Sequence, residues 1–445
     1  MVDGAVNLGT ASSPRPLVPT AFAFAARSHV PFRRAIVTSG PAAPARERRE
    51  DAPTGPVPAA RPLPSLQRAL PARIFTPFKE SRETPTMSAP RITFLEGQAG
   101  QGAALARIAA RVRSRLASPD CAALRAARRP LFTGIGASYA ALAVPVQQLR
   151  TAGVVAQRVL ASEIEAGTAG FDTDCLIAVS QGGRSCETIA AFRRAAPGIT
   201  RTALLNVLAS PLGALAGLTV DLGGEPDSQA STVGYTGTVV ALDLVAGAIA
   251  GRERDPWGEI AGQAAAVHRQ AAEAVAGLRG RGARCAAADA VAAGASRASA
   301  EEGALLLREV ARMPAAACAT RNYLHGAMES AGNTLHLVLG DGREIALARS
   351  LAAAGHLTLL LTTTPAQPSQ SLSVIRLPEV PDAVRAVLEA VALQELAAQL
   401  GAERGVPAGS CAFAHEDTKQ GGPGPAGSQA AAYAPASEAA RAPSP

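Results

Sequence analysis

Lysine is almost absent from this sequence: its 445 residues hold two lysines, Lys79 and Lys419, against 41 arginines. We interpret this bias as a coding preference that places arginine wherever only a positive charge is needed. A lysine retained against that preference can serve where the amine must lose its proton or form a Schiff base, which arginine cannot do. The alternative is that a surface lysine has been retained by chance.

Long apolar runs, aromatic residues and paired cysteines are also scarce. No apolar run approaches the length of a membrane span, so no membrane partner is expected. Aromatic residues make up 3% of the chain, and the core must therefore be built mostly from small aliphatic side chains. The six cysteines are scattered without the CxxC spacing of a metal site, which is typical of reduced thiols in a cytoplasmic protein.

Positive charge is concentrated at one end of the chain. The formal net charge is +7, of which residues 1–87 carry +6. The remaining part is nearly neutral and has no evident electrostatic footprint for DNA or RNA. Nucleic acid is therefore not an expected partner.

Both ends of the chain have the composition of disordered segments. Residues 1–86 are rich in Pro, Ala and Arg and show no sustained hydrophobic period. Residues 4–46 lack acidic side chains, which would suit a transit peptide, whereas Met87 begins a plausible protein of its own and favours a mis-assigned start or a non-functional tail. Residues 420–445, rich in Gly, Pro, Ala and Ser, are also predicted to be disordered.

Between these ends, short apolar strands alternate with helical patterns, which predicts an α/β fold with parallel sheets flanked by helices. The turns GIGASYA and GASRASA recur in corresponding positions and predict two similar halves. We assign residues 87–128 to a helical lead-in with a helix over 103–127, 129–256 to the first half, 257–280 to a linker helix and 281–419 to the second half. The predicted strands are 130–133, 154–160, 175–179, 202–207 and 218–222, and then 286–292, 315–319, 335–339, 356–362 and 374–377.

Two loops rich in glycine and serine follow the first and third predicted strands. Residues 134–138 read GIGAS, and residues 180–185 read SQGGRS and lead into a predicted helix. Ligands bind beyond the carboxyl ends of the strands in such sheets, and the N–H groups, hydroxyls and helix dipole of such a turn favour an anion. GxxxxGK[ST] is absent, which excludes a nucleotide P-loop. The loop is either a phosphate site or an ordinary strand-to-helix turn with a serine N-cap.

Six short motifs together resemble the tandem sugar isomerase (SIS) domains. They are GIGASY, SEI, SQGGRSCET, LNV…SPL, EGALLLRE and YLHGAMES. The pattern is most similar to the isomerase half of glutamine–fructose-6-phosphate aminotransferase and its stand-alone relatives, over about residues 90–420. The resemblance implies two flavodoxin-like SIS domains that bind a phosphosugar and interconvert its ketose and aldose forms, in a homodimer.

The resemblance also implies which residues hold the sugar phosphate. They are Ser138, Ser180, Gln181 and Ser185, with Gly182 and Gly183 in the same loop. Three positions depart from the aminotransferase pattern: Gly182 stands in place of a serine, Ala137 in place of a threonine, and Val233 in place of the lysine of STK. Two hydroxyl contacts and one cation of that pattern are therefore missing.

In the second half, Glu302 and Glu309 match the two carboxylates of the family's EGALKLKE helix. Their seven-residue spacing puts both on one helical face, two turns apart. The resemblance makes Glu309 the base that carries a proton between C1 and C2, as isomerisation through an enediol or enamine requires. The alternative is that Glu309 pairs with Arg308 or Arg312 on a solvated helix.

His325 and Lys419 complete the catalytic residues that the resemblance implies. His325 matches the histidine of the family's HGP motif, which opens the sugar ring from across the dimer interface, although Ala327 replaces the proline. Lys419, in DTK, resembles the C-terminal lysine that reaches over the sugar. His336 and His356 lie within apolar strands and are expected to be core residues.

The glutaminase half of the aminotransferase has no counterpart, since neither Met1 nor Met87 is followed by a cysteine. No helix-turn-helix precedes the first half, which argues against a sugar-sensing transcription regulator. We therefore predict a cytoplasmic, homodimeric phosphosugar isomerase or amino-sugar-phosphate deaminase. It acts on a phosphorylated hexose or hexosamine without a metal or organic cofactor. The alternative is a SIS protein that binds or senses a phosphosugar without turning it over.

Overall fold

The first half of the chain builds one parallel sheet whose central strands are fully buried. In the computed structural model, β1 and β3 are buried at every residue, because helices cover both faces of a parallel sheet and leave no side of these apolar runs for water. The strand order is β2-β1-β3-β4-β5. The strands are β1 Pro130–Gly134, β2 Gln157–Leu160, β3 Cys175–Val179, β4 Thr200–Leu205 and β5 Leu218–Asp221.

The second half repeats this topology. Its sheet has the order β10-β9-β8-β6-β7, which is the order of the first sheet when each half is numbered from its own first strand. The strands are β6 Ala287–Ala292, β7 Ala315–Ala319, β8 Thr334–Leu339, β9 Leu357–Thr362 and β10 Leu372–Arg376. The predicted fold class, two flavodoxin-like halves with parallel sheets, is confirmed.

The structure describes residues 91–164, 167–252, 255–409, 412–413 and 417–420. All of them belong to one compact unit that spans Lys79–Pro445. The predictions made for residues 1–86 and 421–445 lie outside the described residues.

Helices connect the strands and cover the sheets. They are α1 Phe94–Ala117, α2 Ala122–Arg125, α3 Ala137–Ala141, α4 Ala143–Thr151, α5 Cys186–Arg193, α6 Pro211–Leu215, α7 Val233–Ile249, α8 Ile260–Ala276, α9 Arg297–Val310, α10 Thr320–Leu324, α11 Arg343–Ala353 and α12 Asp382–Glu403. Helices α7 and α12 are buried around most of their circumference, as expected of helices at the centre of a large core. Within the described part of the chain, no helix is long and apolar enough to cross a membrane.

The predicted first helix, 103–127, is wrong at both ends. The observed helix begins nine residues earlier because Thr93 and Glu96 form a capping box. In this box the Thr93 hydroxyl accepts a hydrogen bond from the Glu96 N–H at 3.2 Å, and the Glu96 carboxylate accepts one from the Thr93 N–H at 2.8 Å. It ends at Ala117 because Pro119 pushes Ser118 into an extended conformation, with ψ 143°.

The predicted second strand, 154–160, begins three residues too early. Gly153, with φ +80°, and Val154 belong instead to the turn that ends α4. The Val154 N–H donates a hydrogen bond to the Leu149 carbonyl at 2.9 Å. This is the closing bond of a helix C-terminus, and it leaves Val154 outside the sheet.

A buried chain of side-chain hydrogen bonds joins the two halves at the start of α7. Gln101 on α1 donates to Gln394 on α12 at 2.9 Å and accepts from Thr236 on α7 at 3.1 Å. Gln394 in turn donates to the Thr232 carbonyl at 3.4 Å. Because buried polar groups need their partners, this chain fixes the first turn of α7 relative to both halves.

Candidate functional site

The two glycine- and serine-rich loops lie side by side at the carboxyl edge of the first sheet. They follow β1 and β3, which are neighbours at the point where the strand order reverses. A Cβ added to Gly134 would lie 3.1 Å from the Ser138 Cβ and 3.3 Å from the Val179 carbonyl oxygen, so the two loops approach closely. In open α/β sheets, this reversal point is where ligands bind.

Gly183 gives the loop over 180–185 its shape. Its φ is +61°, and its N–H donates to the Ser180 carbonyl at 3.3 Å. A Cβ at this position would collide with the Ser210 side chain, which caps α6, whereas a Cβ on Gly182 would meet nothing within 4 Å. The loop therefore requires glycine at 183 and has room for a side chain at 182.

The loop's two serines are buried, and neither acts as a simple helix cap. Ser180 and Ser185 are each 7% exposed. Ser185 holds the N-cap position of α5, but its hydroxyl makes no capping bond and instead donates to the Glu187 carboxylate at 3.2 Å. The alternative of an ordinary turn capped by a serine side chain is therefore not what the structure contains.

The side-chain amide nitrogen of Gln181 is hydrogen-bonded to α7. That nitrogen donates to the Gly234 carbonyl and, at 2.6 Å, to the Thr238 hydroxyl. The amide oxygen is buried and has no hydrogen-bond partner among the described residues. The side chain can therefore offer an acceptor to a sugar hydroxyl, but its N–H groups are not free for phosphate.

Ser138 lies in the first turn of α3, which packs against α9 of the second half. Arg158, on β2, forms a bidentate ion pair with Glu301 on α9, with both distances at 2.6 Å. Its guanidinium also stacks 4.7 Å from the centre of the Tyr139 ring. These contacts hold the Ser138 loop against the helix that carries Glu302 and Glu309.

Glu302 is buried, and its pKa is raised. It is 1% exposed, and one of its carboxyl oxygens has no partner among the described residues. Burial raises the pKa of Glu302 well above its ordinary value, and the nearby carboxyls of Glu309 and Asp227 raise it further. Glu302 is not among the described residues that line the cavity beside Glu309.

Glu309 lines a cavity of about 510 Å³ between the two halves. Gln229 and Ala230, from the loop before α7, form one wall, and Ala412 and Phe413, near the C-terminus, form another. Desolvation of its carboxyl by the surrounding protein raises the pKa of Glu309 to about 7, although the residue as a whole is exposed.

Arg308, next to Glu309 on α9, is tied to the first residue of β7. The Arg308 Nε–H donates to the Ala315 carbonyl at 2.6 Å. Arg308 and Glu309 are both exposed on α9.

The C-terminal segment reaches both the cavity and the loop. Lys419 forms an antiparallel bridge with Ser185, and the Cys186 N–H donates to the Thr418 carbonyl at 3.2 Å. Ala412 and Phe413 of the same segment line the Glu309 cavity. The backbone at Lys419 therefore lies beside the loop over 180–185.

The start of α7 provides a second link. Ala230 lines the cavity, and the Gly234 carbonyl accepts from Gln181. Four residues span at most about 14 Å, so the Gly234 carbonyl that binds Gln181 lies within that distance of Ala230 in the cavity wall.

His325 lies apart from this region within one chain. It follows α10, which comes after the edge strand β7, and its side chain is exposed. It is not among the described residues that line the Glu309 cavity. His336, by contrast, is fully buried, as expected of a core residue, and His356 is half-buried.

Two residues of the site escaped the sequence analysis. Asp227 accepts hydrogen bonds from the Ser231 hydroxyl at 2.7 Å and from the Thr232 N–H at 2.9 Å, which fixes the loop before α7. The polar run DSQAST was the sequence pattern that could have indicated this loop. Tyr235 is buried next to Glu302, and its hydroxyl has no partner among the described residues. No sequence pattern could have indicated Tyr235, because the residues around it in α7 are mostly apolar. Val233, the position without a lysine, packs in the core.

Taken together, the strand orders of the two sheets define a protein of two flavodoxin-like halves. No protein-family model matches the sequence, and no curated protein is similar to it. A candidate phosphosugar isomerase from Clostridium difficile 630 superimposes with a TM-score of 0.62 at 17% identity, over 72% of this chain and 95% of that one.

Two further structures are similar. The C-terminal domain of glucosamine-fructose-6-phosphate aminotransferase from Francisella tularensis gives a TM-score of 0.61 at 18% identity, over 72% and 98% of the two chains. Tagatose-6-phosphate ketose/aldose isomerase from Escherichia coli gives a TM-score of 0.56 at 16% identity, over 75% of this chain and 99% of that one. The chain therefore has the fold of the tandem sugar isomerase proteins, and the resemblance is confirmed at that level.

Gly183→Ala is expected to disrupt the loop, and Gly182→Ala is expected to be tolerated. The first change places a Cβ against Ser210 at a positive φ, while the second adds a methyl group in open space. We expect Gly183→Ala to lower the free energy of unfolding by about 1 kcal/mol or more, and Gly182→Ala to change it little. Urea titrations of both variants measure this; equal effects would contradict the described loop.

Glu302→Gln is expected to flatten the pH dependence of stability. The folded-state pKa of Glu302 lies above the unfolded value near 4.5. The contribution of Glu302 to the free energy of unfolding is therefore fully present below about pH 4.5 and is lost as the pH rises. The wild-type free energy of unfolding should fall relative to the variant by up to about 1.4 kcal/mol per pH unit above pH 5. Exposed Glu273→Gln on α8 is the control, and a wild-type slope in Glu302→Gln would contradict the assignment.

Proposed function

We propose that this protein is an enzyme that moves a proton between adjacent carbons of a hexose 6-phosphate or a 2-amino-2-deoxyhexose 6-phosphate. The reaction is an aldose–ketose isomerisation, or a deamination that proceeds through the same proton transfer. The observation that carries the proposal is Glu309, a carboxyl with a pKa of about 7 that lines a cavity together with Ala412 and Phe413. A few residues further along the chain, Lys419 forms a bridge with Ser185 of the loop over 180–185.

Glu309 has the properties of a base that must both take and return a proton. A carboxyl of ordinary pKa is too weak a base to remove a carbon-bound proton effectively, whereas a pKa near the working pH suits both directions of transfer. Glu302, two turns away on α9, has a pKa that burial raises well above its ordinary value, which disfavours a second negative charge beside the enediolate that forms. We assign it a supporting role.

The phosphate end of the substrate is assigned to the two loops of the first sheet. Ser138, Ser180 and Ser185 supply hydroxyls, the backbone at Gly182 and Gly183 allows close approach, and the positive end of the α5 dipole faces the anion. The Gln181 carbonyl oxygen accepts from a sugar hydroxyl. A substrate held this way at one end reaches the Glu309 cavity with its carbonyl end.

Lys419 and His325 complete the proposed site. The bridge to Ser185 brings Lys419 beside the phosphate loop, where its ammonium can pair with the phosphate or its amine can engage the sugar carbon. His325 is exposed and lies outside the cavity of its own chain, which favours a role in the site of a second copy. We therefore propose a homodimer in which His325 opens the sugar ring in the partner's site.

Isomerisation and deamination both agree with this arrangement. A glucosamine-6-phosphate deaminase from Thermotoga maritima, 17% identical with a TM-score of 0.53, shares the fold with the isomerases named above. The two reactions have the proton transfer in common and differ in whether the C2 substituent leaves as ammonia. Assay of ammonia release from glucosamine 6-phosphate separates them.

Glu309→Gln is expected to abolish turnover and to leave phosphosugar binding nearly intact. Loss of a general base typically costs about 10²–10⁴-fold in kcat, while the isosteric amide keeps the shape of the cavity. For the wild type, kcat/KM should rise with pH and level off above about 7, since the base must be ionised. Steady-state kinetics and calorimetric binding measure both; equal losses of binding and turnover would contradict the base role.

A binding protein without catalysis is the second candidate. The Ser185 hydroxyl already donates to Glu187, and the Gln181 N–H groups already donate to α7. Fewer hydrogen-bond donors are therefore left for a phosphate. Exchange of the C2 hydrogen of the sugar with deuterated water distinguishes the two functions, because a pure sensor gives no exchange.

Mixing two inactive variants tests the shared site. If Glu309 of one chain works with His325 of its partner, Glu309→Gln and His325→Ala chains refolded together form mixed dimers with one intact site each. Random pairing should then restore about a quarter of wild-type activity. Mixtures as inactive as the separate variants would show that both residues serve the same chain.

A further inference from the structure

His325 directly follows α10, a helix of only five residues, Thr320–Leu324. The His325 N–H donates to the Asn322 carbonyl at 3.1 Å, and Gly326 then turns the chain away with φ +145°. Helices this short are unstable on their own in water. The position of the His325 imidazole therefore depends on what holds α10 against the second half.

Tyr323 holds the C-terminal end of α10. It is 1% exposed, and its ring packs in an apolar cluster with Val291 and Val338. Its hydroxyl donates to the Asp289 carboxylate at 3.0 Å and lies 3.1 Å from the Nδ1 of His336. Because a phenol has one hydrogen, which goes to Asp289, the bond to His336 takes its hydrogen from the imidazole. The Tyr323 oxygen is thus fixed by two partners.

The two partners of Tyr323 belong to the middle of the second sheet. Asp289 on β6 and His336 on β8 are paired in register on neighbouring strands. The His336 Nε2 lies 2.9 Å from the Thr334 hydroxyl, which can donate to it when Nδ1 carries the hydrogen. Burial lowers the pKa of His336 and raises the pKa of the Tyr323 hydroxyl, so both side chains keep the hydrogens that this network needs.

Thr320 holds the N-terminal end of α10 to a different element. Its hydroxyl donates at 2.6 Å to the carboxylate of Glu344, which lies in the first turn of α11. Both side chains are buried. Glu344 is itself held in place, because its side chain packs so closely on Gly340 that a Cβ there would lie 2.5 Å from it. Both ends of α10 are therefore fixed by buried hydrogen bonds, which have a direction that apolar packing lacks.

We propose that Tyr323 and Thr320 are positioning residues that act through His325. They hold α10 in the orientation from which the His325 imidazole reaches the site of the second copy, and neither touches the substrate. A displacement of about 1 Å can cost about 10²-fold in rate, so a short helix that presents a reacting side chain needs such anchors. This inference rests on the proposed function, in which His325 opens the sugar ring.

A defect in ring opening is selective for sugars that form a ring. Opening fructose 6-phosphate breaks the C2–O5 bond: O5 gains a proton, and the hydroxyl on C2 loses one as the C2 carbonyl forms. An imidazole can move both protons. The analogue 5-deoxyfructose 6-phosphate has no O5 and stays open, so it needs Glu309 but not His325. A general loss of structure would slow both sugars alike.

Steady-state kinetics of the full-length protein with these two sugars test the proposal. We expect Tyr323→Phe and Thr320→Val to lower kcat/KM for fructose 6-phosphate by about ten- to a hundredfold, and to leave kcat/KM for the 5-deoxy analogue nearly unchanged. His325→Ala should show the same selectivity with a larger loss. Thr320→Ser keeps the hydroxyl and should retain wild-type kinetics. Thr202→Val, which removes a buried hydroxyl on β4 of the first half, is the control.

Hydrogen exchange of the backbone amides gives a second readout that needs no substrate. Without its anchors, α10 should open more often, and the amides over 320–326 should exchange at least about tenfold faster in Tyr323→Phe and Thr320→Val than in the wild type, as the loss of one hydrogen bond to a charged group implies. Thr202→Val should leave exchange over 320–326 unchanged.

The outcomes separate this inference from the proposed function. If His325→Ala is selective for fructose 6-phosphate but Tyr323→Phe and Thr320→Val slow both sugars equally, or slow neither, the inference is overturned and the ring-opening role of His325 stands. Unchanged exchange over 320–326 in both variants would overturn the inference as well. Equal losses for both sugars in His325→Ala, or a wild type that turns over neither sugar, would contradict the proposed function itself.

Discussion

The first turn of α7 is the junction on which the candidate site depends. Its carbonyls and hydroxyls hold Gln181 of the loop over 180–185 on one side and the Gln101–Gln394 pair of the interior on the other. The loop that leads into it forms a wall of the Glu309 cavity. Because these contacts are buried, the loop and the cavity keep a fixed relation that neither half could provide alone.

The two halves share a topology and differ in what fills the reversal point of the strand order. In the second half, Asp341 follows β8 there and accepts hydrogen bonds from Thr362 and Thr363 and pairs with Arg385. Burial would raise the pKa of Asp341, but the bonds from Thr362, Arg385 and Thr363 outweigh it and hold that pKa well below its ordinary value. An internal carboxylate thus occupies the place that a ligand anion would take, and the second half contributes α9 instead.

Local sequence patterns were sufficient for the fold and insufficient for the contacts of the site. Continuous apolar runs such as β3 predicted their strands closely, because buried parallel strands have no polar face. Gln181 was expected to donate to phosphate, but its donors are taken by α7, far away in sequence. The surroundings of Glu309 could not be predicted either, since only the tertiary structure shows that Glu309 lines a cavity where desolvation raises its pKa to about 7.

The central claim is that one ligand spans the phosphate loop and Glu309, and a crystal structure with an open-chain hexitol 6-phosphate tests it most directly. The account predicts a phosphate that accepts hydrogen bonds from Ser180, Ser185 and the Gly182–Gly183 backbone, with C1 or C2 about 3–3.5 Å from the Glu309 carboxylate. A phosphate bound instead at Arg308, with the loop over 180–185 empty, would contradict it.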